Sequence, residues 1–144
     1  MIYNHTQKGK LIIIILLALI VYFGFIMYQE GYDQMLIITM LVVIFIVGSL
    51  STLNVVIDGE YLRLKFGYGL FKKKFKLIEI ASATAAKHSW YYGWGIRYNL
   101  ALKMWTFNVS GFDVIEIIMK NDKRYRIGTD EPKKLEQAIS QMIK

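Results

Sequence analysis

The chain has 144 residues, is 55% hydrophobic and has a mean hydropathy of +0.35, too oily for an ordinary soluble domain of that size. It holds no cysteine, which excludes a disulfide framework, a cysteine metal site and a cysteine nucleophile and fits a reducing compartment. Residues 1–53 carry two bases and two acids, whereas residues 54–144 carry sixteen bases and nine acids, so the net charge of +7 belongs to the C-terminal part alone.

Residues 11–28, LIIIILLALIVYFGFIMY, and residues 35–53, MLIITMLVVIFIVGSLSTL, contain no charge. Each can cross a hydrocarbon layer as a helix, at the short end of the usual length. Leu, Ile, Val and Phe favour insertion by about 0.3–0.6 kcal/mol each at a helix centre, enough to outweigh the few small or polar residues. A buried hairpin of a soluble protein is the alternative, but neither run has the polar stripe of an amphipathic helix. A cleaved signal peptide is another; the preceding KGK suits one, but the apolar core is long and no A-x-A-like site follows. The expectation is a transmembrane helical hairpin over residues 1–53.

Its direction follows from the flanks. The connection QEGYDQ carries two acids and no Lys or Arg, while Lys8, Lys10 and the basic C-terminal part lie at the other ends. The positive-inside rule then gives a multi-pass protein of the cell membrane with both termini cytoplasmic. Tyr22, Tyr28 and Tyr32 would lie near the outer boundary. Gly48 and Thr52, with Ser49 and Ser51 beside them, are small enough to let helices pack closely, within the hairpin or between copies.

Beyond residue 53 the apolar period changes to two. In EYLRLKF, Leu62, Leu64 and Phe66 share one face, and Tyr61, Arg63 and Lys65 the other. NVVI precedes it across Asp58-Gly59, a hairpin signal. KKFKL places Phe75 and Leu77 opposite Lys74 and Lys76, and NLALKMW aligns Leu100, Leu102 and Met104. DVIEIIMK and RYRIGT flank a turn at Asn121-Asp122, with Ile115, Ile117 and Met119 inward and Glu116, Lys120, Arg124 and Arg126 outward. This predicts six or seven short antiparallel strands. A final helix over about 131–143 has Thr129 or Asp130 as cap, Pro132 in its first turn, and Leu135, Ala138, Ile139, Met142 and Ile143 as its apolar stripe.

The patterns YGWGIRY, NVSG and VIEIIMKNDKRYRIGTDEPKKLEQAI, behind a membrane hairpin, resemble the bacterial pleckstrin-homology-like (PH-like) membrane proteins. The resemblance covers residues 54–144, most specifically 92–139. It implies an all-β PH-like domain of two orthogonal antiparallel sheets capped by a C-terminal helix. It brings no catalytic motif and no site residues.

Chemistry is sparse. The histidines are His5 and His88; Ser89 adjoins His88, but neighbours on a strand point to opposite faces. No metal-ligand spacing exists, and Gly67-x-Gly69 and Gly93-x-Gly95 lack the third glycine and the strand–helix setting of a phosphate cradle. The chain is expected to be no enzyme and to take no cofactor. Lys72, Lys73, Lys74 and Lys76, in KKKFK, are the candidate lipid-headgroup contacts, at about 1 kcal/mol per base near an anionic surface. Eukaryotic pleckstrin-homology domains often carry phosphoinositide-binding bases on such a hairpin, but a bacterial membrane usually lacks those lipids, which leaves general anionic lipid. The competing reading is a solvated face that protects the strand edge. Tyr91, Tyr92 and Trp94, in WYYGWGIRY, are candidate membrane-interface aromatics; the competing reading is a structural corner with Trp90 or Trp94 packed on the core. Nucleic acid is excluded as a partner by the membrane tether and the lack of any binding motif. Two functions survive. One is a membrane-anchored interaction module that assembles with itself or another membrane protein, by strand addition at a sheet edge. The other is a reader of anionic lipid headgroups.

Overall fold

The structure is a computed structural model and describes residues 3–87, 95–109 and 111–144. Tyr91, Tyr92 and Trp94 lie outside the described residues.

The two apolar runs form α1 (Lys10–Glu30) and α2 (Gln34–Gly48), which pack on one another. The Asp33 side chain caps α2 by accepting a 2.7 Å hydrogen bond from the Met35 N–H. α1, with 21 residues, is long and apolar enough to cross a membrane, at about 1.5 Å per residue. Of its side chains only Ile12 and Phe23 are buried, the reverse of a core helix. α2, with 15 residues, is shorter than a span normally requires. The expected second span to residue 53 is corrected here: helix ends at Gly48, and Thr52 already begins a strand.

Four antiparallel strands, β1 (Tyr3–Lys8), β2 (Thr52–Ile57), β3 (Tyr61–Phe66) and β4 (Phe71–Lys76), form one sheet in the order β1-β2-β3-β4. The second sheet holds β5 (Ile80–Lys87), β6 (Gly95–Asn99), β7 (Met104–Asn108), β8 (Asp113–Met119) and β9 (Arg124–Gly128), in the order β5-β8-β9-β7-β6. α3 (Pro132–Ile143) packs on β5 and β8 through Leu135 and Ile139, both fully buried, with Ala138, Met142 and Ile143 beside them. Pro132 stands at its start as expected, but neither Thr129 nor Asp130 is the cap: Glu131 holds that position without a side-chain capping bond, the Thr129 Oγ1 accepts from the Glu131 N–H, and Asp130 pairs with His5.

The alternation in EYLRLKF and DVIEIIM is realised: Leu62, Leu64, Phe66, Ile115, Ile117 and Met119 all face the core. Other expectations fail for physical reasons. Nine strands stand among the described residues, not six or seven. β7 and β9 run parallel, pairing Met104–Phe107 with Arg124–Ile127, so the second sheet is not wholly antiparallel. NLALKMW is mostly a turn: the Asn99 Oδ1 accepts from the Leu102 N–H, Lys103 has φ +49°, and Leu100 is 81% exposed. Gly59 and Glu60, not Asp58 and Gly59, are the centre of the β2–β3 turn; the Asp58 Oδ1 accepts from the N–H groups of both Glu60 and Tyr61.

β1 changes the domain boundary. Residues 3–8 belong to the first sheet and not to a separate N-terminal segment, pairing in register from Tyr3↔Ile57 to Lys8↔Thr52. The helices are therefore inserted in the connection between two adjacent antiparallel strands. The junction is tight: the Gly9 N–H donates to the Ser51 carbonyl at 2.6 Å, and a methyl on Gly9 would meet the Ser51 and Val109 carbonyls at 2.9 Å. At the far end of β1, Tyr3 donates to Glu131 at 3.3 Å and His5 pairs with Asp130, tying the strand to the start of α3.

Candidate lipid-contact face

The site begins with the β3–β4 turn. Gly67 and Gly69 adopt φ of +47° and +93°, the left-handed region that glycine enters without Cβ strain. Gly67 must also lack a side chain because a methyl there would lie 2.8 Å from the Ser49 Cα. The turn is thereby pressed against the end of α2. Tyr68 stacks on Phe45 of α2 at 5.3 Å and 20°, and its hydroxyl occupies the space above Gly48. Gly48 and Ser49, expected to pack helix on helix, instead seat this turn; Thr52 lies in β2.

From that turn the strands carry a ladder of cations. Lys65 stands opposite Lys72 and Arg63 opposite Lys74, with Tyr61 opposite Lys76 at the far end. Like charges directly opposite on a sheet destabilise it, by about 0.2–1 kcal/mol per pair. Only Arg63 is neutralised, by Asp58 at 2.8 Å; no ion pair among the described residues involves Lys65, Lys72, Lys73, Lys74 or Lys76. The Asp58 carboxyl is held below its usual range first by the Tyr61 N–H, then by the Glu60 N–H and Arg63. Lys74 lies 4.9 Å from the Tyr61 ring centre.

The four lysines named from the sequence do not form one patch. Lys72, Lys74 and Lys76 alternate onto the outer face with Arg63 and Lys65, whereas Lys73 sits opposite Leu64 on the inner side. Its ammonium lies 5.7 Å from the Phe75 ring and 5.8 Å from the Tyr125 ring. Lys65, outside the KKKFK run, belongs with Lys72. A methyl on Gly69 would meet the Lys72 Cε at 2.9 Å and the Lys65 Cε at 3.1 Å, so both stems run back over the turn toward the helix end. The alternation in EYLRLKF already placed Lys65 outward; the missing signal was the cross-strand register.

The chain matches no family model, no curated protein and no solved structure.

Proposed function

We propose that this chain is a non-enzymatic, multi-pass membrane protein whose PH-like β domain engages anionic lipid headgroups at the cytoplasmic membrane face through the Lys65–Lys72 end of the β3–β4 hairpin. The observation that carries it is the convergence of two lysines, unpaired among the described residues, over a turn whose Tyr68 stacks on an apolar helix. Multi-pass topology is supported by strand pairing. Lys8 precedes α1 and Thr52 follows α2, yet they are partners in one sheet, so a chain that crosses through α1 must return through α2. The shortness of α2 is met by local bilayer thinning, at a modest cost per ångström. β1 also argues for retention of α1, since cleavage behind it would remove a strand held by Asp130 and Glu131. The acidic inter-helix connection opposite a basic domain favours cytoplasmic termini.

The test uses the full chain in nanodiscs of phosphatidylcholine alone or with phosphatidylglycerol. Amide exchange of the β3–β4 hairpin should slow in the anionic discs. The protection should disappear at about 1 M salt, where the screening length is ~3 Å, and in Lys65→Glu/Lys72→Glu. Equal exchange in both lipids would refute the proposal.

One observation favours assembly as a second reading. Tyr98, Leu100, Leu102 and Trp105 are exposed together at the end of β7 opposite Val109, which abuts Gly9. That apolar patch suits a protein partner or a second copy. Mild-detergent extracts should then hold a discrete higher-mass species that Leu100→Asp dissolves; a monomer with nothing co-purifying would sink this reading.

A further inference from the structure

The first sheet ends at β4 and the second at β6, and among the described residues these edges do not pair. Between them lies an apolar cleft of about 300 Å³, at the lower limit of ligand-sized cavities. Its floor is Phe66, only 1% exposed. One wall is a series of near-parallel rings: Trp105 and Phe107 are 6.4 Å apart at 10°, Phe107 and Tyr125 6.3 Å apart at 18°. The charged groups lining it are Lys72 and Lys73, and no carboxylate is among its described lining residues. Leu70, half exposed at its rim, belongs to the same turn as Tyr68, so the cleft opens beside the end of α2.

We propose that this cleft holds one acyl chain of an anionic membrane lipid, with the headgroup phosphate at Lys73, whose ammonium lies beside the Tyr125 ring of the cleft wall. This rests on the headgroup reading above. The chemistry is complementary in both parts: a slot of aromatic and aliphatic walls for a hydrocarbon chain, and the Lys73 ammonium for a phosphate. A chain that moves from bilayer to cleft exchanges one apolar environment for another. The gain therefore comes from covering ring surface that water would otherwise wet, and from Lys73. Selectivity for anionic over zwitterionic lipid lies in Lys73 alone. β4 then touches lipid on both sides, its outer face at headgroups and its inner face at a chain.

The experiment places the full chain in phosphatidylcholine nanodiscs doped with phosphatidylglycerol that carries a photoreactive diazirine at its acyl terminus. Irradiation and peptide mapping should find adducts on β4 and β7, at Phe71, Trp105 or Phe107. Lys73→Gln should lower them about fivefold, the factor one lysine contributes near an anionic lipid, and the cleft-filling Ile96→Trp should abolish them. Adducts confined to α1 and α2 would overturn the cleft while leaving hairpin exchange to judge the headgroup reading independently. Equal labelling by phosphatidylcholine with the same diazirine would overturn anionic selectivity. The wild-type comparison of the two lipids decides the matter even where Ile96→Trp disturbs the fold.

Discussion

Lys72, Lys74 and Lys76 share one face of one strand, and each change to Glu alters net charge by the same amount, so they separate position from total charge. Strand rise is about 3.3–3.4 Å per residue, which puts Lys74 about 7 Å and Lys76 about 13 Å beyond Lys72 along β4. With Lys72 at the headgroup level, reversing it removes about 1 kcal/mol of attraction and adds a similar repulsion, ~2 kcal/mol or about 30-fold in partitioning. Screening over ~8 Å reduces this to about 0.8 kcal/mol, fourfold, at Lys74 and to about 0.4 kcal/mol, twofold, at Lys76. The assay is co-sedimentation with phosphatidylglycerol vesicles of a soluble variant in which an Asn-Gly turn joins Lys8 directly to Thr52. Those two residues are already partners across β1 and β2, so a two-residue turn can close the strands. Equal losses from all three substitutions would mean that net charge, not hairpin placement, drives binding, and the reasoning would fail.

That variant should itself fold, whereas a fragment of residues 54–144 should not, because it lacks β1 and the fully buried Leu53 of β2; heteronuclear NMR dispersion distinguishes them. Gly128→Ala should destabilise by about 1–3 kcal/mol in denaturant titration, since its methyl would overlap the Asn108 side chain. Gly48→Ala meets only the far end of the exposed Tyr68 side chain, so its smaller loss should be restored by Tyr68→Phe. Burial, with Glu131 and Asp130 nearby, pushes the Tyr3 pKa up to about 12 from 10.0. The folded state thus holds that proton more tightly. Stability should be level below pH 10 and fall as pH rises toward 12, and Tyr3→Phe should flatten that limb. Asp58 has the opposite sign: its carboxyl is depressed, so its contribution is present above 3.8 and is lost as pH drops through the lower folded value. Asp58→Asn should shallow the acid limb of a thermal-melt series.

What was legible in the sequence was whatever buries one face in a local register. The alternation of Leu62, Leu64 and Phe66, the stripe of α3 and the apolar run of α1 all announce themselves because neighbours in sequence share one environment. β1 does not, since YNHTQK is a polar edge strand whose partner lies beyond two helices. β5 is not legible as a strand because its Ala and Ser side chains lack a β signature; their small size is what lets α3 lie close across it. Leu100 and Leu102 misled in the other direction, their spacing mimicking a strand where Asn99 closes a turn. In the site, KKKFK was visible as charge, but the pairing that joins Lys65 to Lys72 and turns Lys73 inward arises only from register.

The insertion of both helices between β1 and β2 bears on what lipid contact can be for. About a dozen strongly apolar residues in α1, at 0.3–0.6 kcal/mol each, give roughly 4–7 kcal/mol of insertion energy from that helix. Lys65 and Lys72 together contribute about 2 kcal/mol. On the proposed reading such a contact adds little to recruitment of a chain that its helices already hold, and no tether lets the domain search away from the surface, because Gly9 and Ser51 are hydrogen-bonded at the junction. Two kilocalories do decide which lipid sits beside the hairpin, at about 30-fold preference for an anionic neighbour. On the proposed reading the basic face therefore selects and orders the lipids around a fixed anchor, and its loss should change lipid composition at the protein while leaving membrane localisation intact.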